Sequence, residues 1–100
     1  MIMRVWRGWT TEANADAFEL FLCKENFHSI AGFHGMSVLR LDSAGEVEFM
    51  TIMRFDSLDA VRAFAGDRYE DAVVPEQARA MLNRFDTCSR HYEVRSAAGQ

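Results

Sequence analysis

The chain has 100 residues, of which 49% are hydrophobic, and its formal net charge at pH 7 is −4. This length suits one domain with a single core, and the acidic residues are dispersed along the chain. A dispersed negative charge without a basic patch argues against nucleic acid or an anionic membrane as a partner. The eight Phe, six Met and two Trp exceed what one small core needs, which predicts that a second copy covers apolar surface.

The cysteines and the distribution of apolar residues predict a cytoplasmic protein. Cys23 and Cys88 are far apart and match no metal-binding or redox spacing. No run approaches the roughly 18 apolar residues that cross a bilayer, and Arg4 and Arg7 interrupt the start of the chain. We expect two reduced thiols, each packed as a small buried side chain. The three His are well separated, so no metal site is predicted.

The first part of the chain reads as a strand followed by a helix. Residues Ile2–Thr10 alternate between two faces that each carry a Trp, which is typical of a strand covered on both sides. Thr11 is suited to cap a helix that begins near Glu12, and apolar side chains recur at helical spacing from there towards Ile30. Gly32 is expected to end this helix.

The middle of the chain predicts a hairpin and a second helix. Two strand-like runs, Phe33–Leu41 and Glu46–Phe55, are joined by the turn residues Asp-Ser-Ala-Gly. The second run is apolar on both faces, which is typical of a central strand. Ser57 is expected to cap a helix that continues to Gly66.

The end of the chain predicts a short additional helix and a last strand. Pro75 suits the first turn of that helix, and apolar residues continue at helical spacing as far as Phe85. From Asp86 to Arg95 the period changes to two, and residues 96–100 are expected to form a tail. The whole order is α+β and ferredoxin-like, βαββαβ with an extra short helix, in one domain of residues 1–95. Since helices cover only one sheet face, the other apolar face is expected to pack on a second copy in a homodimer.

Three segments carry a resemblance to a known family: Ala31 to Phe33, Phe55 to Ala60 and Phe64 to Val94. They resemble the antibiotic biosynthesis monooxygenase-like family of dimeric α/β-barrel proteins, and the resemblance covers nearly the whole chain. It implies two protomers whose sheets form a barrel, each with an apolar cavity between sheet and helices. Characterised members include cofactor-independent monooxygenases of polycyclic aromatic phenols, which use Asn, Trp, Tyr and Arg, and haem-degrading enzymes, which use Asn, Trp and His.

This chain departs from the family at two positions. The frequent Trp at the end of the third strand is Phe55, and the frequent His of the following helix is Phe64. No complete catalytic set of a characterised member is therefore present.

Two histidines are the candidate catalytic residues, because imidazole exchanges protons near neutral pH. His34 lies near the start of the second strand. His91 lies in the last strand, two residues from Glu93, which fits either a base oriented by a carboxylate or a surface pair.

Three aromatic residues are the candidate substrate-binding residues. Trp6 fits either stacking on a flat ligand or filling the core, and Phe55 would shape an apolar pocket. Tyr69 lies in a charged turn, from which it would either reach a ligand with its hydroxyl or pack on a helix.

The sequence leaves three functional hypotheses. The first is a cofactor-independent monooxygenase acting on a small aromatic or quinol-like molecule in the barrel cavity. The second is a non-catalytic dimer, stress-associated or binding a small apolar or aromatic ligand. The third is a haem-binding or haem-degrading protein, in which His34 or His91 would coordinate the iron.

Overall fold

The computed structural model describes residues 1–24 and 29–99. Within them it shows an antiparallel sheet with helices packed on one face, so the predicted α+β class is confirmed. The elements are β1 (Ile2–Thr10), α1 (Glu12–Cys23), β2 (Phe33–Ser43), β3 (Glu46–Phe55), α2 (Leu58–Ala65), α3 (Glu76–Met81), β4 (Leu82–Phe85) and β5 (Arg90–Glu93).

The strand order is β2-β3-β1-β4, with β5 also paired to β1, which confirms the ferredoxin-like arrangement. The central strand β1 pairs with β3 along its whole length. On its other edge, β4 pairs with residues 8–10 and β5 with residues 2–5. The last strand of the ferredoxin-like order is thus divided in two, and each piece occupies its own half of the β1 edge.

This division corrects two sequence predictions. The helix expected to reach Phe85 ends at Met81, and the single strand expected from Asp86 to Arg95 is confined to β5. The edge of β1 supplies the reason, because it offers backbone hydrogen bonds to an extended segment there. Thr10 Oγ1 also donates to the Met81 carbonyl at 2.5 Å, which fixes the end of α3.

Side-chain caps define the starts of the two longer helices as predicted. Thr11 accepts a hydrogen bond from the Asn14 amide at the start of α1, and Ser57 accepts one from the Ala60 amide at the start of α2. Gly66, with a φ of 89°, ends α2 as expected. However, α1 ends at Cys23. The expected continuation of this helix towards Ile30 is therefore wrong at Lys24 and at residues 29–30, which are not helical.

Residues 25–28, within the expected continuation of α1, lie outside the described residues. Within the described ones, no helix has the length and apolar composition needed to cross a bilayer.

The core between sheet and helices consists of two separate clusters. One lies beneath α1 and α3, and the other lies beneath α2. The gap between them becomes the cavity described below. The buried members are Ala15, Phe18, Leu22, Val47, Phe49 and Ala78 in the first cluster, and Met53, Phe55, Ala60 and Val61 in the second.

The sheet face opposite the helices is apolar and open in the single chain. In β3, the residues that face the helices are buried and those that alternate with them are only partly buried. Leu39 and Leu41 on β2 are 47% and 60% exposed, and Tyr92 on β5 is 51% exposed. The open face of the sheet therefore presents large apolar side chains to solvent.

Both cysteines are exposed and free, so the expectation that they are buried is wrong. Cys23 is the last residue of α1, and Cys88 lies between β4 and β5. Neither position faces a core cluster, since the buried face of α1 is formed by Ala15, Phe18 and Leu22.

Candidate functional site

A cavity of about 340 Å³ lies between the sheet and the helices, where the two core clusters meet. Its wall is mainly apolar and includes four aromatic side chains, Trp6, Phe18, Phe21 and Phe64. Residues 73–75, before α3, also line it. This volume is at the small end of the range of about 300–1,000 Å³ for ligand sites, so it suits a small and largely apolar molecule.

The cation of the cavity is Arg4, which the alternation of β1 places on the helix-facing side of the sheet. Arg4 is only 4% exposed. Its Nη1 donates to the Tyr69 carbonyl, and its Nη2 donates to the Asp71 carbonyl at 3.3 Å. The guanidinium carbon also lies 5.7 Å from the centre of the Phe64 ring. Burial lowers the pKa of the Arg4 guanidinium from its ordinary value, although an arginine stays charged.

His91 lies beside Arg4, with Nε2 at 2.9 Å from Arg4 Nη1. Because an arginine nitrogen only donates, Nε2 must accept and the ring proton is assigned to Nδ1. Burial lowers the pKa of His91, the charge of Arg4 lowers it further, and the Glu70 carboxylate opposes both effects. His91 is therefore neutral at pH 7. It also borders a surface groove with Tyr69 and Tyr92, which gives the ring access to solvent.

The structure places Trp6 on the cavity wall and fixes its ring from both sides. The indole Nε1 donates to the Asp86 carbonyl at 2.9 Å, in the segment between β4 and β5. The ring lies over Gly8, where a Cβ atom would come within 2.5 Å of the indole Cη2. A glycine at this position therefore allows the flat Trp6 ring to lie close to the strand.

The other two predicted substrate-binding residues lie behind the cavity wall. Phe55 is fully buried, and its ring centre is 5.7 Å from that of Phe64, which itself lines the cavity. The Tyr69 ring lies edge-on to the His91 ring at 5.0 Å, and only its backbone carbonyl contacts Arg4. Both residues support groups that line the cavity.

The two predicted catalytic histidines are not brought together. His34 is exposed and its Nε2 is hydrogen-bonded to Asp56 at the protein surface. The predicted partner of His91, Glu93, instead lies 3.9 Å from Arg95. The charged side chain bonded to the His91 ring is therefore Arg4, where the sequence predicted a carboxylate.

The sequence interpretation missed Arg4 and the hydroxyl groups of Thr51 and Ser89, all of which line the cavity. A signal for Arg4 was present, because it shares a strand face with Trp6 and Gly8. No such signal existed for Ser89, because its orientation depends on the division of the last strand.

The fold is that of solved structures described as putative antibiotic biosynthesis monooxygenases, which confirms the predicted resemblance at the level of the fold. A protein from Bacillus cereus, described as a "putative antibiotic biosynthesis monooxygenase", has 17% identity and a TM-score of 0.73, over 99% of this chain and 97% of its own. A point mutant of MhuD with two manganese protoporphyrin IX molecules bound per active site has the same identity and TM-score, over 100% of both chains.

A third structure, from Chloroflexus aurantiacus and described in the same words as the Bacillus protein, has 15% identity and a TM-score of 0.55. It covers 99% of this chain and 95% of its own. No protein-family model matches the sequence, and no curated protein matches it either.

Proposed function

We propose that this protein is a monooxygenase that oxidises a small aromatic or quinol-like molecule in the cavity, using neither a metal nor an organic cofactor. The observation that carries this proposal is the aromatic wall of the cavity, formed by Trp6, Phe18, Phe21 and Phe64, in a fold shared with proteins described as monooxygenases. The volume of about 340 Å³ suits two or three fused rings.

The reaction requires a substrate that supplies its own electrons. Loss of a proton from an activated aromatic molecule gives an electron-rich anion, which transfers an electron to O₂. When a ring CH₂ carbon becomes a carbonyl, one oxygen atom enters the product and the other leaves as water. The four electrons released by the carbon equal the four taken up by O₂, so no external reductant is needed. The mainly apolar wall of the cavity limits contact between water and the reactive anion.

His91 is the proton acceptor in this proposal. It is neutral at pH 7, and its Nε2 accepts a hydrogen bond at 2.9 Å from Arg4, which lines the cavity, so proton uptake requires that the substrate displace this contact. The surface groove on its other side gives the accepted proton a route to water. Trp6 holds the substrate ring against the strand, since its own N–H is already bonded to the Asp86 carbonyl.

Replacing His91 with Gln is expected to lower the rate of oxygen consumption about 100-fold, the lower range for loss of a general base. The assay measures O₂ uptake with a panel of bicyclic and tricyclic hydroquinones and ketones. Tyr92→Phe, on the same strand but the opposite sheet face, is the control and should keep the wild-type rate. Uptake no faster than in buffer for the wild type, or unchanged uptake in His91→Gln, would contradict the proposal.

Haem binding is a second candidate, favoured by the similarity to the MhuD complex. Coordination of the iron by His91, like proton uptake by this ring, would require Nε2 to give up the hydrogen bond from Arg4. His34, the other candidate ligand, is bonded to Asp56 at the surface. We therefore assign no step to haem, and the absence of a Soret shift when haemin is added would remove this candidate. Thermal stabilisation by small aromatic ligands without any O₂ uptake would favour the non-catalytic dimer instead.

We further propose that the protein is a homodimer in which the open sheet faces of two copies pack together. Leu39→Arg combined with Leu41→Arg is expected to shift the sedimenting species from twice the chain mass to the chain mass, because it places charges on apolar surface. Leu20→Arg is the matched control, since Leu20 is 61% exposed but lies on α1. A wild-type protein that sediments as a monomer would contradict the dimer.

A further inference from the structure

Arg4 is a buried cation without a negative partner. Its hydrogen-bond partners are two backbone carbonyls and the neutral ring of His91, and its guanidinium carbon lies 5.7 Å from the centre of the Phe64 ring. Among the residues that the structure describes, no carboxylate oxygen lies within 4 Å of it, whereas Arg7 and Arg84 each pair with one. Leaving a charge uncompensated in the interior is costly, so the surroundings of Arg4 favour an added anion.

The guanidinium also has donors to spare. Of its five N–H groups, two on Nη1 and one on Nη2 are used by the Tyr69 carbonyl, His91 and the Asp71 carbonyl. The Nε–H and the second N–H of Nη2 have no partner within residues 1–24 and 29–99. Every fully buried polar side-chain atom in those ranges is hydrogen-bonded, so Nε, which has no partner there, must retain some access to open space. Arg4 lines the cavity, which is that space.

We propose that the cavity binds an aromatic carboxylate, with the carboxylate accepting two hydrogen bonds from Nε and Nη2 of Arg4 and the rings packed against Trp6 and Phe64. Two adjacent guanidinium donors match the two oxygens of a carboxylate, which is the geometry of strong arginine pairs. This inference rests on the proposed function only in using the same cavity, because binding requires no turnover.

The bound carboxylate also changes His91. The charge of Arg4 disfavours a second cation on the neighbouring ring, and a bound anion cancels that effect. The groups that face His91 are then the neutralised Arg4, the uncharged Tyr69 ring and the Glu70 carboxylate. Binding should therefore make His91 easier to protonate, so the substrate's own anion improves the base that the reaction needs.

Calorimetric titration without oxygen tests the proposal with two ligands of the same ring system, 1-naphthoate and the neutral 1-naphthalenemethanol. We expect naphthoate to bind at least about tenfold more tightly to the wild type, which corresponds to one charge-assisted contact. Arg4→Gln should abolish this preference. Arg54→Gln is the matched control and should retain it, because Arg54 lies on the opposite sheet face and donates to Ser37.

Equal affinities for the two ligands in the wild type, or a preference that survives in Arg4→Gln, would overturn the proposal. If Arg4→Gln does not fold, NMR titration of His91 in the wild type decides. Naphthoate must raise the pKa of His91 and naphthalenemethanol must not, and the absence of this difference rejects the proposal. If the protein binds naphthoate with this preference but takes up no oxygen, the proposed oxygenase activity is rejected and the carboxylate site is supported. If it oxidises neutral quinols but shows no preference for naphthoate, the carboxylate site is rejected and the oxygenase activity is supported.

Discussion

Replacing Phe55 with Ala is expected to lower the free energy of unfolding by about 3–5 kcal/mol, the usual loss for a buried Phe. Phe55 is fully buried and central to the cluster beneath α2. Its ring centre lies 5.5 Å from that of Phe33 and 5.7 Å from that of Phe64, so its removal leaves a void between β2, β3 and α2. Urea denaturation of the purified variant measures the loss.

Phe85→Ala provides the comparison for this prediction. Phe85 is only partly buried, at the end of β4, and its ring packs beneath the guanidinium of Arg79. We expect less than half of the loss seen for Phe55→Ala. Similar losses for the two variants would mean that Phe55 contributes no more to the stability of the fold than a partly buried Phe.

Replacing Arg4 with Ala is expected to lower the free energy of unfolding by about 3 kcal/mol. The cause is the loss of hydrogen bonds to the loop that contains Tyr69 and Asp71, not the loss of apolar packing. The change leaves the carbonyls of Tyr69 and Asp71 without their charged donor, and each such bond contributes about 1.5–3 kcal/mol. Removing a buried charge offsets part of this cost. Urea denaturation measures the total, and cleavage between residues 66 and 75 in limited proteolysis should become faster. Arg54→Ala serves as the control on the open sheet face, and a loss no larger than its loss would refute this role for Arg4.

The same variant should change how stability depends on pH. The pKa of His91 lies below its ordinary value of 6.5, so the unfolded chain takes up a proton more readily than the folded protein does. This contribution to stability is complete above the unfolded pKa and is lost as the pH falls through the lower folded pKa. Because Arg4 is one of the two causes, Arg4→Ala should show a shallower loss of melting temperature below about pH 6.5. His91→Gln supplies the baseline, and equal slopes in wild type and Arg4→Ala would contradict the electrostatic role.

The framework of the fold was predictable because its strands alternate regularly. In β3, every second residue from Val47 to Phe55 falls on one face, and all of these residues are buried in the structure. Helix caps were equally clear, since the Ser57 hydroxyl bonds to the amide three residues later. Such signals are local, and the hydrogen bonds that produce them lie within a few residues.

The end of the chain was less predictable because the decisive partner lies far away in sequence. Leu82 and Phe85 continue a helical spacing, yet they are strand residues because they pair with Thr10 and Gly8 of β1. The candidate site shows the same limit. Arg4 and His91 are 87 residues apart, and their contact depends on β5 lying beside the start of β1. The sequence identified His91 as a candidate base, but the two-residue spacing on the strand predicted Glu93 as its partner instead of Arg4.

Because the last strand is divided, most of its pairing with β1 and its contacts with the cavity fall on different residues. Each piece is aligned by its own half of β1. Between them, Asp86 keeps one backbone hydrogen bond to Arg7 of β1, and residues 87–89 instead bond to residues 70–72. Residues 86–89 supply the carbonyl that orients Trp6 and the hydroxyl of Ser89 on the cavity wall. Substitutions in this segment can therefore reshape the ligand space while the strand pairing is preserved.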